Sequence, residues 1–254
     1  MGKGIGVGYI SLIVLIPLAA LLTNAFNKGL VSFWTAITQT EAIDALRLTL
    51  LCSLGAALLN AVAGTATAWI LVRDRFWGQG LLNAIIDLPF ALPTVVAGVT
   101  FYTLYGPLSP VHVNITGSWI GITVAIVFVT LPFTVRSVQP VLESMSFNAE
   151  NAAATLGASS YQVFRTITLP TLLPSILTGT GLAFARAIGE YGSVVFISNN
   201  LPYHSEVASS YIYSLATSGQ TNAAASVAVF LLMLALVLLA AFNITSVQLA
   251  KRHG

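Results

Sequence analysis

The sequence predicts an all-α integral membrane protein with six spanning helices and cytoplasmic termini, and three observations predict it. First, ten Lys or Arg and eight Asp or Glu make up only 7% of a 254-residue chain that is 56% hydrophobic, with a mean hydropathy of +0.88. A soluble domain carries about 25% charge. That deficit excludes an ordinary water-soluble enzyme and a nucleic-acid binder, because the chain lacks the side chains to solvate a globule or neutralise a phosphate backbone. Second, six apolar stretches each reach the roughly 20 residues that a bilayer-crossing helix requires. Third, the cations divide unequally between the loops, as the positive-inside rule demands of a membrane protein.

The first stretch, residues 5–26, follows only Lys3. Its apolar run is longer than the h-region of a signal peptide and no A-x-A cleavage site follows, so it is read as a retained span. The other spans are residues 48–72, 81–104, 118–138, 172–198 and 222–247. Pro89, Pro93, Pro132 and Pro174 interrupt spans three to five, with Gly98, Gly179, Gly181, Gly189 and Gly192 nearby, which is the composition of kinked or opened helices lining a cavity. With the N-terminus inside, Lys3, Arg73, Arg75, Arg136, Arg165, Lys251 and Arg252 fall on the cytoplasmic side, against Lys28 and Arg47 outside. The single cysteine, Cys52, rules out an intrachain disulfide or a CxxC redox pair. Residues 1–254 read as one domain.

Segment 139–171 is the one long cytoplasmic stretch. Asn148 is positioned to cap a short helix, Glu150 sits in its first turn where the helix dipole favours a carboxylate, and Ala152, Ala153, Ala154 and Leu156 continue it to Gly157. Ser159 and Gln162 have capping-box spacing for a second helix, expected to end near Pro170. On spacing alone this is either a surface helix–turn–helix that tethers two spans or a docking element.

The run Glu150-Asn-Ala-Ala-Ala-Thr-Leu-Gly157-Ala, with Phe164 and Ile167-Thr-Leu-Pro170 after it, resembles the EAA loop of ABC-importer permeases. The Glu of that family's triplet falls here on Asn151, with Glu150 one position earlier. The likeness extends over residues 40–250, through Asp87 to Thr94, Leu131 to Pro140 and Phe184 to Gly192, which resemble the sulfate/thiosulfate and molybdate permeases of the type I importers. Ser205 to Ser210 is similar to the sulfate/thiosulfate branch. The resemblance implies that Glu150, Asn151, Ala152, Ala153, Leu156, Gly157 and Ala158 couple the chain to a cytoplasmic ATPase.

Arg186 and Glu190 stand four residues apart on one face of span five, where each charge costs about 2.5–3.5 kcal/mol on insertion scales. Asp87 lies six residues into span three. One reading makes all three structural, as salt bridges pinning the bundle, with Asp87 paired to a cation on a neighbouring helix. The other places Arg186, Glu190, Asp87, Thr178, Thr180 and Ser193 along a translocation path, with Arg186 a passing stop for a dianion, Glu190 keeping that stop shallow and the three hydroxyls as donors. Intramembrane Ser and Thr more often bond back to their own helix.

No G-x-x-x-x-G-K-[ST], H-E-x-x-H or G-x-S-x-G motif is present, so the sequence reads as a transport subunit and not as an ATPase or an intramembrane hydrolase. The resemblance implies an ATPase dimer that binds ATP and Mg, no cofactor in this chain, a second permease subunit that is a related chain or a second copy, an external sulfate-binding protein, and the bacterial inner membrane. It implies sulfate or thiosulfate as cargo, with molybdate or tungstate as the alternative.

Overall fold

Residues 8–9, 11–146 and 148–253 are described by the structure, a computed structural model; Lys3 and the side chains of Lys251 and Arg252 lie outside them. The helices are α1 (Ile16–Phe26), α2 (Gly29–Thr38), α3 (Thr40–Arg73), α4 (Gln79–Ala91), α5 (Thr94–Tyr105), α6 (Trp119–Ser144), α7 (Asn148–Thr155), α8 (Ser160–Val163), α9 (Leu169–Ile188), α10 (Gly192–Ile197), α11 (Ala208–Thr217) and α12 (Thr221–His253). Four continuous helices, Thr40–Arg73, Trp119–Ser144, Ser160–Ile188 and Thr221–Leu249, are long and apolar enough to cross a membrane. Two bent pairs, Ser11–Phe26 with Gly29–Thr38 at 91° and Gln79–Ala91 with Thr94–Tyr105 at 111°, make six when each pair is counted as one broken span.

α3 runs unbroken for 34 residues because nothing in Thr40–Arg73 is proline, and Glu41 in its first turn and Arg73 in its last both complement the helix dipole. At 1.5 Å per residue it is about 50 Å long, well beyond a hydrocarbon core of about 30 Å. It therefore begins eight residues before the expected span. α6 likewise passes through Pro132 and Pro140 without ending and extends to Ser144, six residues beyond the expected boundary.

The real breaks are elsewhere. Span three turns at Leu92 and Pro93, where Leu92 adopts the extended conformation that a following proline imposes (φ −84°, ψ 136°). Span five ends at Ile188 and resumes as α10 after Gly189–Tyr191. Pro170, expected to end the loop's second helix, does not end it: α8 continues through a π-helical turn, Phe164–Thr168, into α9. The wider turn lets the Leu169 N–H bond Phe164 O, five residues back, just before the proline that lacks a donor. α2 and α11 are additions to the expected spans, which leave both segments as loop.

α3 packs most extensively on α6, and α9 is wedged against α6, α12 and α3. One apolar cluster, around Ala68, Leu71, Val135, Val138, Leu142 and Leu172, fills the end bearing Arg73. Another, around Phe33, Leu46, Phe184, Tyr211 and Leu215, fills the end bearing Glu41. Between them the two broken spans meet backbone to backbone: a Cβ on Gly98 of α5 would lie 2.7 Å from Gly192 O and 2.9 Å from Ser193 O. Only glycine permits that approach.

Candidate functional site

In the loop between α6 and α9, the helix end at Gly157 and the Ser159–Gln162 cap form as expected, while the Asn148 cap and the stop at Pro170 do not. α7 starts at Asn148 itself, one residue earlier than a capping role there requires. It closes in a left-handed turn at Gly157 (φ +89°), with Gly157 N–H bonded to Ala154 O at 3.0 Å and Ala158 N–H to Ala153 O at 3.1 Å, the paired bonds of a Schellman ending. The capping box forms: Ser159 N–H donates to Gln162 Oε1 at 2.8 Å and Gln162 N–H to Ser159 Oγ at 3.4 Å. Asn151, Ala152 and Gly157 are exposed, Ala153 and Ala158 half-buried, and Leu156 is 89% exposed. A leucine so placed on a glycine-ended turn has an apolar surface that α7 cannot cover itself.

Glu150 points the other way. Its carboxylate accepts from Arg73 Nη1 at 3.1 Å and Nη2 at 2.9 Å, and from Thr168 Oγ1 at 2.9 Å. The Arg73 guanidinium also lies 5.2 Å from the centroid of the Trp69 ring.

Asp87 finds the cation that its position in span three called for, and the partner is Arg136 of α6. Arg136 Nε and Nη2 donate to the two Asp87 oxygens at 2.8 and 2.6 Å, and Nη1 reaches Asn83 Oδ1 at 3.1 Å and Gln139 Oε1. The bidentate geometry fixes α4 against α6 on the side of the Pro93 break that carries Arg73. Both side chains remain partly exposed.

Arg186 and Glu190 pair at 2.6 Å across the end of α9. The two are unlike: the Glu190 side chain is 1% exposed and that of Arg186 36%. Glu190 Oε1 also accepts the Ser193 N–H at 2.8 Å, and its backbone carbonyl accepts Ser209 Oγ at 2.8 Å, so this carboxylate organises the turn into α10. Of the hydroxyl candidates, Thr180 donates to Ile176 O at 2.7 Å, and Thr178 lies within hydrogen-bond range of both Pro174 O and Ser246 Oγ. Ser193 is fully buried. The structure thus brings Arg186, Glu190 and Ser193 together at the break and leaves Thr178 and Thr180 further down α9.

The Glu41 end carries a notch of about 200 Å³ lined by Glu41, Asp44, Arg47, Tyr203, His204 and Glu206. Tyr203 OH donates to Glu41 at 2.5 Å and Ser214 Oγ to Glu206 at 3.2 Å. Burial pushes the Glu206 carboxyl above the ordinary carboxylate range, the Ser214 hydrogen bond opposes this, and the Glu41 charge adds to it. A larger groove, about 800 Å³ along Leu48, Leu51, Gly55, Leu58, Leu59 and Val62, is lined without a charged side chain. Sequence reasoning missed Arg73, Thr168, Arg136, Asn83 and Gln139 as partners. It also missed Asn60, whose amide bridges α3 to Val127 O and Thr130 Oγ1 of α6. For Asn60 and Asn83 the available signal was a polar side chain within an apolar run.

A family model described as binding-protein-dependent transport system inner membrane component matches residues 60–252. The chain is 39% identical over 259 residues to the sulfate transport system permease protein CysT of Salmonella typhimurium, covering 99% of this chain and 94% of that one. It is 42% identical over 253 residues to the protein of the same name from Synechocystis sp., covering 97% and 88%. Among solved structures it is similar to a bacterial ABC transporter involved in the import of the acidic polysaccharide alginate, with a TM-score of 0.77 at 20% identity and coverage of 96% and 92%. It is also similar to the MetNI methionine ABC transporter in an inward facing conformation, with a TM-score of 0.62 at 16% identity and coverage of 82% and 95%. At these identities the structural likeness speaks for the fold alone.

Proposed function

The chain belongs to the family of binding-protein-dependent transport system inner membrane components and has the type I ABC importer permease fold, and from that membership we propose that it is the permease subunit of an ATP-driven importer of sulfate or thiosulfate. The observation that carries this reading is the 39–42% identity, over nearly the whole chain, to sulfate transport permeases. In this reading the chain sits in the bacterial inner membrane with loop 139–171 toward the cytoplasm and forms half of the translocation path. A second permease subunit forms the other half, and a separate ATPase dimer binds ATP and Mg.

The outward face of α7, with Asn151, Ala152 and Leu156, docks on the ATPase. Arg186 offers the anion a stop that is attractive but shallow, since Glu190 is already engaged with the same guanidinium at 2.6 Å. Tight selection belongs to an external sulfate-binding protein, because a path with so few charges separates tetrahedral oxyanions poorly.

The test is ATP hydrolysis by the reconstituted complex with each oxyanion and its binding protein. Stimulation by sulfate or thiosulfate is expected. Stimulation by molybdate alone would overturn the substrate, and no stimulation by any oxyanion would overturn the class.

A further inference from the structure

We propose that Glu150 acts within this chain, as the tether through which movement of α7 is passed to α3 and α9, and is not the side chain that α7 presents to the ATPase. The proposal rests on reading α7 as the docking helix and names how that helix is linked to the membrane.

Both Glu150 oxygens are engaged inward: Oε2 by Arg73 Nη1, and Oε1 by Arg73 Nη2 and Thr168 Oγ1, at 2.9–3.1 Å. The Arg73 and Glu150 side chains are only 10% and 15% exposed, and Thr168 is buried. Arg73 is the last residue of α3, and Thr168 immediately precedes α9, the helix that ends at the Arg186–Glu190 turn. Trp69, beneath the guanidinium, meets Phe164 edge to face at 5.7 Å, so the same corner is also closed by packing. One carboxylate therefore joins three elements at a single point.

A bidentate arginine–carboxylate pair resists rotation as well as separation, because both N–H···O bonds must stay aligned. α7 thus cannot shift relative to α3 and α9 without carrying them along or breaking a mostly buried ion pair, whose rupture leaves a charge unpaired. A helix held only by its connecting loops would move alone. The neighbouring Asn151, Ala152 and Leu156 are exposed and free to make the outward contact.

The test compares Glu150→Gln, Arg73→Gln, the double variant and Leu156→Asp in proteoliposomes with the ATPase, the binding protein and sulfate. The readouts are ATPase co-purification and sulfate uptake per ATP hydrolysed. Both single substitutions at the tether are expected to keep the ATPase bound while uptake per ATP falls about tenfold. The double variant should be no worse than either single one, since residues acting as one unit are non-additive. Mere loss of stability would lower the yield of complex and leave that ratio unchanged. Where a tether variant fails to assemble, Thr168→Val removes one hydrogen bond and should lower the ratio in the same direction, about threefold. Loss of ATPase binding in Glu150→Gln but not in Arg73→Gln, or normal coupling in both, would overturn the tether. Normal ATPase binding and uptake in Leu156→Asp would instead overturn the docking reading of α7.

Discussion

The Arg186–Glu190 pair predicts an asymmetry that a symmetric salt bridge would not show. Replacing Arg186 by Met strands a carboxylate that is 1% exposed and retains only the Ser193 N–H, and removing one partner of a buried ion pair costs about 3–5 kcal/mol. Replacing Glu190 by Gln leaves an amide oxygen for the same N–H and a guanidinium that is 36% exposed; if that exposed side is wet, the loss is about 1 kcal/mol, one hydrogen bond net of hydration. The difference of roughly 2–4 kcal/mol corresponds to a gap on the order of 5–10 °C in unfolding temperature for a chain of this size.

Cys52 supplies the assay. It is the chain's single cysteine and only 2% exposed, so a thiol-reactive dye on detergent-solubilised protein reports unfolding directly. Glu190→Gln should unfold well above Arg186→Met, and Arg186→Met/Glu190→Met should regain much of what Arg186→Met loses. If Glu190→Gln proves as damaging as Arg186→Met, the exposed side of Arg186 faces lipid and the anion-path role fails with it. A double variant that is stable yet transports at the normal rate would remove that role as well.

Gly98→Ala places a methyl against the Gly192 and Ser193 backbone, so overpacking of about 3 kcal/mol should outweigh a helix-propensity gain of at most about 1 kcal/mol. Gly80→Ala, open on all sides in α4, should cost nothing in the same thermal assay. Gly157→Val forces a β-branched residue to φ +89° and should cost about 1–3 kcal/mol, concentrated in α7. ATPase association, measured by co-purification, should fall before global unfolding changes. Glu206 carries a raised carboxyl, so its contribution to stability is fully present below the ordinary carboxylate range and is lost as pH rises through the shifted value. Glu206→Gln should therefore stabilise the protein at neutral pH, and the gain should vanish on acidification; a pH-independent gain would refute this origin.

Much of this molecule was legible because its solvent is lipid. Apolar length alone marks a span, and glycine or a capping box marks a helix end through local backbone chemistry that needs no tertiary contact, which is why Gly157 and the Ser159–Gln162 box stand where the sequence puts them. Proline was a poorer guide. Pro132, Pro140 and Pro174 lie inside continuous helices while Pro93 marks a 111° turn, because whether a missing N–H breaks a helix depends on what the neighbouring helices offer the freed backbone.

Composition and spacing by themselves determined the all-α class, the presence of several helices long and apolar enough to cross a membrane, and the i,i+4 pairing of Arg186 with Glu190. Only the tertiary structure decided that Asp87 belongs to Arg136, 49 residues away, and Glu150 to Arg73, 77 residues away. The physical reason is that a charge set in an apolar helix is stabilised by an opposite charge, and a one-dimensional pattern states that need without stating which helix meets it. The choice is made by ridges, small residues and breaks that set which helix ends arrive at the same corner.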